Sequence, residues 1–219
     1  KQKTAYEIRN CDWSSDVCSS DLFPEVSRGF HIFASECSRN AAGGVLTLVS
    51  PGWCPDRRAI SLRVLVPGRV LRVCVDGRIG GRGGDNAAGP VMTFWNVHNF
   101  ALPPASLEPI RAILSEDLRI ARTQPMFFTV FVAGDFNFIM PQDRIFRPVD
   151  VARLDGEAEM PGAARALQAF WQDLLRDTTD ITNAEPTHFY AAGNSFSRID
   201  RLHTSIPPWM LTKIGRAHV

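Results

Sequence analysis

Apolar and polar residues alternate with a period of two over several short stretches before residue 100, and recur at helical spacing over two longer stretches after it. Gly29 to Glu36 alternates loosely and is expected to be a strand. Val45 to Ser50 is a β-branched run between Gly43-Gly44 and Pro51-Gly52, which predicts a strand with a turn at each end. Ser61 to Val66 and Arg69 to Asp76 alternate in the way of a sheet with one face covered, and Val91 to His98 reads as a further strand. Between the last two lies GRIGGRGGDNAAGP, Gly77 to Pro90. A phosphate cradle of this composition leads into a helix. Here it leads into a strand, so a long hairpin tip is expected, whose Arg78 and Arg82 are candidates for touching a polyanion.

Ser106 to Arg122 places Leu107, Ile110, Leu114, Leu118 and Ala121 on one helical face, with Ser106 as the expected N-cap and Pro125 beyond the end. Gly162 to Asp177 gives a second helix, whose stripe is Leu167, Phe170, Trp171, Leu174 and Leu175, with Trp171 expected in the core. Between the helices stands Phe127 to Phe138, FFTVFVAGDFNF, an apolar run of strand length that stops at Gly134. Gly134 is expected to let the chain turn there. Asp135 and Asn137 follow, one residue apart, and alternation puts both on one side of the strand's mouth. A carboxylate and an amide so placed can orient a water and a phosphate oxygen; the plain alternative is a polar strand end. Pro141 to Gly162 is irregular, Pro186 to Phe189 is expected in a loop, and Ser195 to Ser205 alternates as one last strand. The order predicts an α/β domain with helices packed on sheet.

Composition is that of an ordinary globular chain, and the net charge of +1 announces no nucleic-acid partner. No stretch is long and apolar enough to span a membrane, and the start shows no charged-then-apolar leader. Lys1 to Leu22 and Ile214 to Val219 read as translated sequencing-library adapter, in matched arms at the two ends. Residues 1–22 and 214–219 are therefore set aside as scars, leaving 23–213 as a domain fragment truncated at both ends. Cys37, Cys54 and Cys74 then remain, an odd number without paired metal spacing, which speaks against a disulfide framework or a zinc site and for a reducing compartment.

Four segments stand in order: Gly43-Gly44-Val45-Leu46, Asn96-Val97-His98-Asn99, Gly134-Asp135-Phe136-Asn137 and Ser197-Arg198-Ile199-Asp200-Arg201. Their order and spacing resemble the endonuclease/exonuclease/phosphatase superfamily, the DNase I-like fold. Pro186-Thr187-His188-Phe189 followed by Ser-Arg-Ile-Asp-Arg looks closest to the retrotransposon-type endonuclease domains. The resemblance implies a four-layer α/β sandwich, two packed mixed sheets with outer helices. It implies hydrolysis of a phosphate ester by an activated water with Mg²⁺, or Mn²⁺ in its place. Asp135 would orient the water and Asn137 would hold a phosphate oxygen. His98 would stand near the scissile phosphate, and Asp200 would orient and charge a catalytic histidine. Asn96, Asn99, Ser197 and Arg198 would line the substrate side.

The family's metal-binding Glu and its closing Ser-Asp-His would fall outside residues 23–213, so no metal ligand is assigned within the chain. Glu25 and Glu36 lack the family's context for that Glu, and His188 and His203 are not promoted to the missing histidine. The 219 residues alone are expected to show little or no activity, since partners in a concerted site act as a unit. DNA is the favoured substrate, in an intracellular setting that would be nuclear for a mobile element. A phosphatase or sphingomyelinase-like activity on a small phosphorylated molecule or lipid is the second reading, and an inactive or binding remnant the third. Fold does not choose among them.

Overall fold

The structure, a computed structural model, describes residues 29–36, 44–79, 89–99, 102–138, 162–182, 188–190, 195–197 and 199–211. Residues 1–22 and 214–219, Glu25, Cys37, Arg82, Arg198 and most of the irregular stretch after Pro141 lie outside the described residues. For Glu36 and for strand residues 188–190 and 195–197 only the backbone is described.

The expected strands form where the alternation places them. β1 (His31–Glu36) pairs antiparallel with β2 (Gly44–Val49) as a two-stranded ribbon. A six-stranded mixed sheet contains β3 (Ile60–Val66), β4 (Val70–Asp76), β5 (Val91–His98), β6 (Phe128–Asp135), β7 (Thr179–Asp180) and β10 (Asp200–Thr204), in the order β3-β4-β5-β6-β10-β7. β4 and β5 are antiparallel, as a hairpin requires, while β5 and β6 run parallel. That parallel pair needs a crossover, and α1 (Pro104–Thr123) supplies it. α2 (Gly162–Leu175) follows.

Alternation along the central strands splits the core in two. Trp95, Val97, Val130 and Val132 face the helices and pack with Ile110, Leu114, Phe170, Trp171 and Leu174. The opposite face carries Leu71, Val73 and Val75, which meet Phe33, Val45 and Val49 of the ribbon. Phe94 and Phe131, register partners on that face, stack with centroids 5.1 Å apart. The α/β sandwich is thus present as helices, sheet and ribbon; an outer fourth layer has no counterpart among the described residues.

Three local expectations change. Ser106 is not the N-cap: its Oγ donates to the Pro103 carbonyl at 2.6 Å, and Pro103 holds the cap position. Pro104 has its φ preset for the first helical position and needs no N–H partner there, so the helix starts earlier. Residues 188–190, expected in a loop, are strand β8 (His188–Tyr190), paired with β9 (Ser195–Ser197). The expected single strand 195–205 is therefore two, β9 in that hairpin and β10 in the main sheet.

Candidate active site

Register gathers the candidate residues at one edge of the sheet. His98 ends β5 and is the register partner of Asp135, which ends β6. Asp135 in turn is the partner of Asp200, the first residue of β10. Register partners project from the same face, so His98, Asp135 and Asp200 form a row across three adjacent strands, on the ribbon side of the sheet. The carboxyl ends of parallel strands are where open α/β sheets hold their ligands.

An Asx turn shapes the end of β6. Asn137 has a positive φ of 51°, and its N–H donates to Asp135 Oδ1 at 2.8 Å. This is an Asx turn, which an asparagine in the left-handed region tolerates. It replaces simple alternation after Asp135, and it leaves Asn137 exposed at the mouth. Gly134 does not make the turn. It sits within β6 with φ +143°, where an added Cβ would lie 1.9 Å from the Val97 carbonyl oxygen. A side chain there would enter the neighbouring strand.

The asparagines of the Asn-Val-His-Asn segment are engaged within the protein. Asn96 Nδ2 donates to the Leu46 carbonyl at 2.8 Å, tying β5 to the ribbon. Asn99 is buried; its Nδ2 donates to the Phe136 carbonyl at 2.6 Å and its Oδ1 accepts from Trp171 Nε1 at 2.9 Å. Its backbone N–H bonds the Asp135 carbonyl at 2.8 Å. Asn99 thus clamps the ends of β5 and β6 onto α2. Asn99→Ala is expected to lose about 1–3 kcal/mol of stability, because Trp171 Nε1 and the Phe136 carbonyl are left buried without it. Urea denaturation measures this, and a loss below about 0.5 kcal/mol would contradict the clamp.

A further residue joins the row that the sequence did not single out. Val66 to Arg69 makes a turn with Pro67 second and Gly68 third at φ 66°, closed by Arg69 N–H on the Val66 carbonyl at 3.0 Å. This is the type II pattern. Ser35 Oγ of the ribbon accepts the Gly68 N–H at 2.9 Å. Arg69, just before β4, therefore faces the end of β5, and its carbonyl takes the His98 N–H at 2.8 Å. Arg69 is only 7% exposed, and its Nη1 lies 2.9 Å from His98 Nδ1 and 3.3 Å from Nε2. Burial first, and the guanidinium second, hold the His98 imidazole below its usual range. Between that lowered value and the ordinary value of about 6.5, the unfolded chain binds more protons, so stability rises with pH through the window.

Of the other candidates, Ser197 is in β9. His203 is on β10 but, at an odd spacing from Asp200, faces the helices; its Nδ1 is 3.1 Å from Thr178 Oγ1. Arg78 is paired with Asp76 at 2.6 Å. Cys54 and Cys74 are free thiols. No helix of the described residues is long and apolar enough to cross a membrane.

The chain matches no family model and no curated protein. Among solved structures it is similar to the endonuclease domain of TRAS1, a telomere-specific non-LTR retrotransposon, with 14% identity and a TM-score of 0.41 over 80% of this chain and 65% of that one. It is similar to truncated TDP2 of Caenorhabditis elegans, with 15% identity and a TM-score of 0.40 over 85% of this chain and 66% of that one. It is also similar to ANGEL2, a 2',3'-cyclic phosphatase, with 11% identity and a TM-score of 0.43 over 87% of this chain and 66% of that one. The chain thus spans just under two thirds of the length of each. All three belong to the endonuclease/exonuclease/phosphatase superfamily.

Proposed function

We propose that the chain belongs to a DNase I-like hydrolase, an endonuclease that cuts DNA phosphodiester bonds with an activated water and Mg²⁺. The observation that carries this reading is the row of His98, Asp135 and Asp200 at one sheet edge, with Asn137 in the turn beside it. Phosphoryl transfer asks a protein mainly for positioning and for stabilisation of developing charge. The Asp135 carboxylate accepts a hydrogen bond from the attacking water and orients it. The Asn137 amide donates to a phosphate oxygen. His98 donates to a second oxygen of the scissile group. Asp200 holds the imidazole of a histidine proposed to lie outside the described residues. Asn96 and Asn99 support the strand ends, and Ser197 and Arg198 are assigned to substrate binding as part of this proposal.

Mg²⁺ takes one or two carboxylates and completes its shell with water and substrate oxygen. Among the described residues no group of three or more His, Cys, Asp or Glu side chains could hold an ion. The donors described do not by themselves make a metal site, and the metal-binding Glu is proposed to lie outside them.

The test is plasmid nicking in Mg²⁺ by the full-length gene product that contains residues 23–213. The expected result is nicking that EDTA abolishes and that Asp135→Ala lowers about 100-fold or more. A folded full-length protein that leaves DNA intact, or that nicks equally well without Asp135, overturns the reading. The 219 residues alone are expected to nick far more slowly, and robust nicking by them would refute the proposal that the Glu and the histidine lie elsewhere.

A further inference from the structure

We infer that Arg201 is a positioning residue for Asn137: its buried guanidinium, held by Asp180, lies over the Phe138 ring and fixes the chain just beyond the Asx turn. Arg201 follows Asp200 on β10 and is 3% exposed. Its register partner is Gly134, which sets no side chain beside it. Its Cζ lies 5.3 Å from the Phe138 ring centroid, within reach of a cation–π contact. Its Nη1 is 3.6 Å from Asp180 Oδ2 on β7. Asp180 is itself held. Its Oδ1 accepts from the Thr182 N–H at 2.9 Å and from Thr182 Oγ1, and that hydroxyl oxygen accepts the Leu202 N–H at 2.7 Å.

The contact reaches Asn137 through its two chain neighbours. On one side the Phe136 N–H donates to the Ile199 carbonyl at 2.9 Å. On the other side Phe138 packs edge-on against Phe136, with centroids 5.8 Å apart and planes at 70°, and Arg201 covers its ring. Asn137 stands between them at φ 51°, a conformation that a residue with a Cβ holds only when its surroundings impose it. A buried ion pair is weak evidence for stability, and its best-attested use is to fix one geometry. The Asp180 side chain is 29% exposed, so it still reaches water when its partner is removed. Arg201→Met therefore releases Phe138 at small cost to the fold as a whole. On the phosphodiester reading, the clamp sets the direction from which the Asn137 amide meets a phosphate oxygen. That use rests on the proposed function; the clamp does not.

The experiment is amide hydrogen exchange, read residue by residue by NMR on the ¹⁵N-labelled 219-residue chain. The Trp95 and Val97 amides, in the middle of the sheet, gauge the whole fold. In Arg201→Met the Phe136 and Asn137 amides are expected to exchange about 10-fold faster or more, with Trp95 and Val97 within about 3-fold of the parent. Phe138→Leu removes the ring instead and speeds the same two amides. Adding Arg201→Met to Phe138→Leu then changes them little, because partners in one contact are not additive. Unchanged exchange at Phe136 and Asn137 in Arg201→Met overturns the inference. So does acceleration of Trp95 and Val97 alongside them, or additive effects in the double variant. Should Arg201→Met fail to fold, Phe138→Leu decides alone: its Phe136 and Asn137 amides either speed up or the inference fails. Nuclease activity plays no part in this readout, so a failed nicking assay and a failed exchange experiment are separate results.

Discussion

Asp117→Ala is expected to destabilise the fold by about 3–5 kcal/mol, the loss typical of breaking a buried ion pair from one side. Asp117 is on α1, within its apolar stripe, and is 4% exposed. Both its oxygens are used by Arg72 of β4, at 2.7 Å to Nε and 2.8 Å to Nη2, and Oδ2 also accepts from Trp95 Nε1 at 2.9 Å. One carboxylate therefore ties the crossover helix to two strands of the sheet. Without it, a partly buried guanidinium and a buried indole N–H lose the acceptor they share. Urea denaturation of the variant gives the magnitude. Asp117→Leu combined with Arg72→Met should recover much of the loss, since apolar residues of similar volume replace buried pairs at little cost. If the double variant is no more stable than Asp117→Ala, the loss does not come from the stranded charge.

Gly134→Ala is expected to do more, preventing folding at 25 °C or lowering stability by more than about 4 kcal/mol. The backbone at φ +143° is open to glycine and strained for any L-residue. The added carbon would also lie 1.9, 2.7 and 2.8 Å from the backbone oxygen, carbonyl carbon and nitrogen of Val97. These are main-chain atoms of the strand beside it, so relief requires parting β5 from β6, the pair that carries His98 and Asp135. Circular dichroism and a denaturation midpoint measure the change. A Gly134→Ala protein within about 1 kcal/mol of the parent would show that this close approach is not a feature of the folded chain.

Much of the fold could be read from short-range pattern. Strands β1 to β6 and both helices lie where period-two and helical spacing put them, because burial on one face writes that period into the sequence. The strand-end motifs were legible for the same reason, each following an apolar run. What could not be read depends on partners distant in sequence. Asp117 looks like one more charge on a helix until the stripe through Leu114, Leu118 and Ala121 is seen to include it. Its burial follows from Arg72 and Trp95. Arg69 looks like the residue after a Pro-Gly turn. The hairpin register would have found it, since Val70 opposite Val97 sets Arg69 opposite His98. The division of residues 195–205 between two sheets had no signal in alternation, which is the same whichever sheet a strand joins. Gly134 was noticed as a breaker, but its reason is the nearness of another strand, which local sequence does not record.

The sheet order also bears on how the chain reaches its folded state. β10 lies between β6 and β7, so the row of candidate residues closes only after the last described strand has inserted. Pairings so distant along the chain must overcome loop closure before their contacts reward it, which makes them slow. During synthesis β6 is made well before β10. Until residues 200–204 arrive, the nascent chain holds Phe128 to Asp135 as an open edge of aromatic and branched residues, the kind of template on which chains pair wrongly. The strand that bears Asp135 is thus the one with most to lose from a delay, and slow synthesis between residues 135 and 200 lengthens the time its edge stands open.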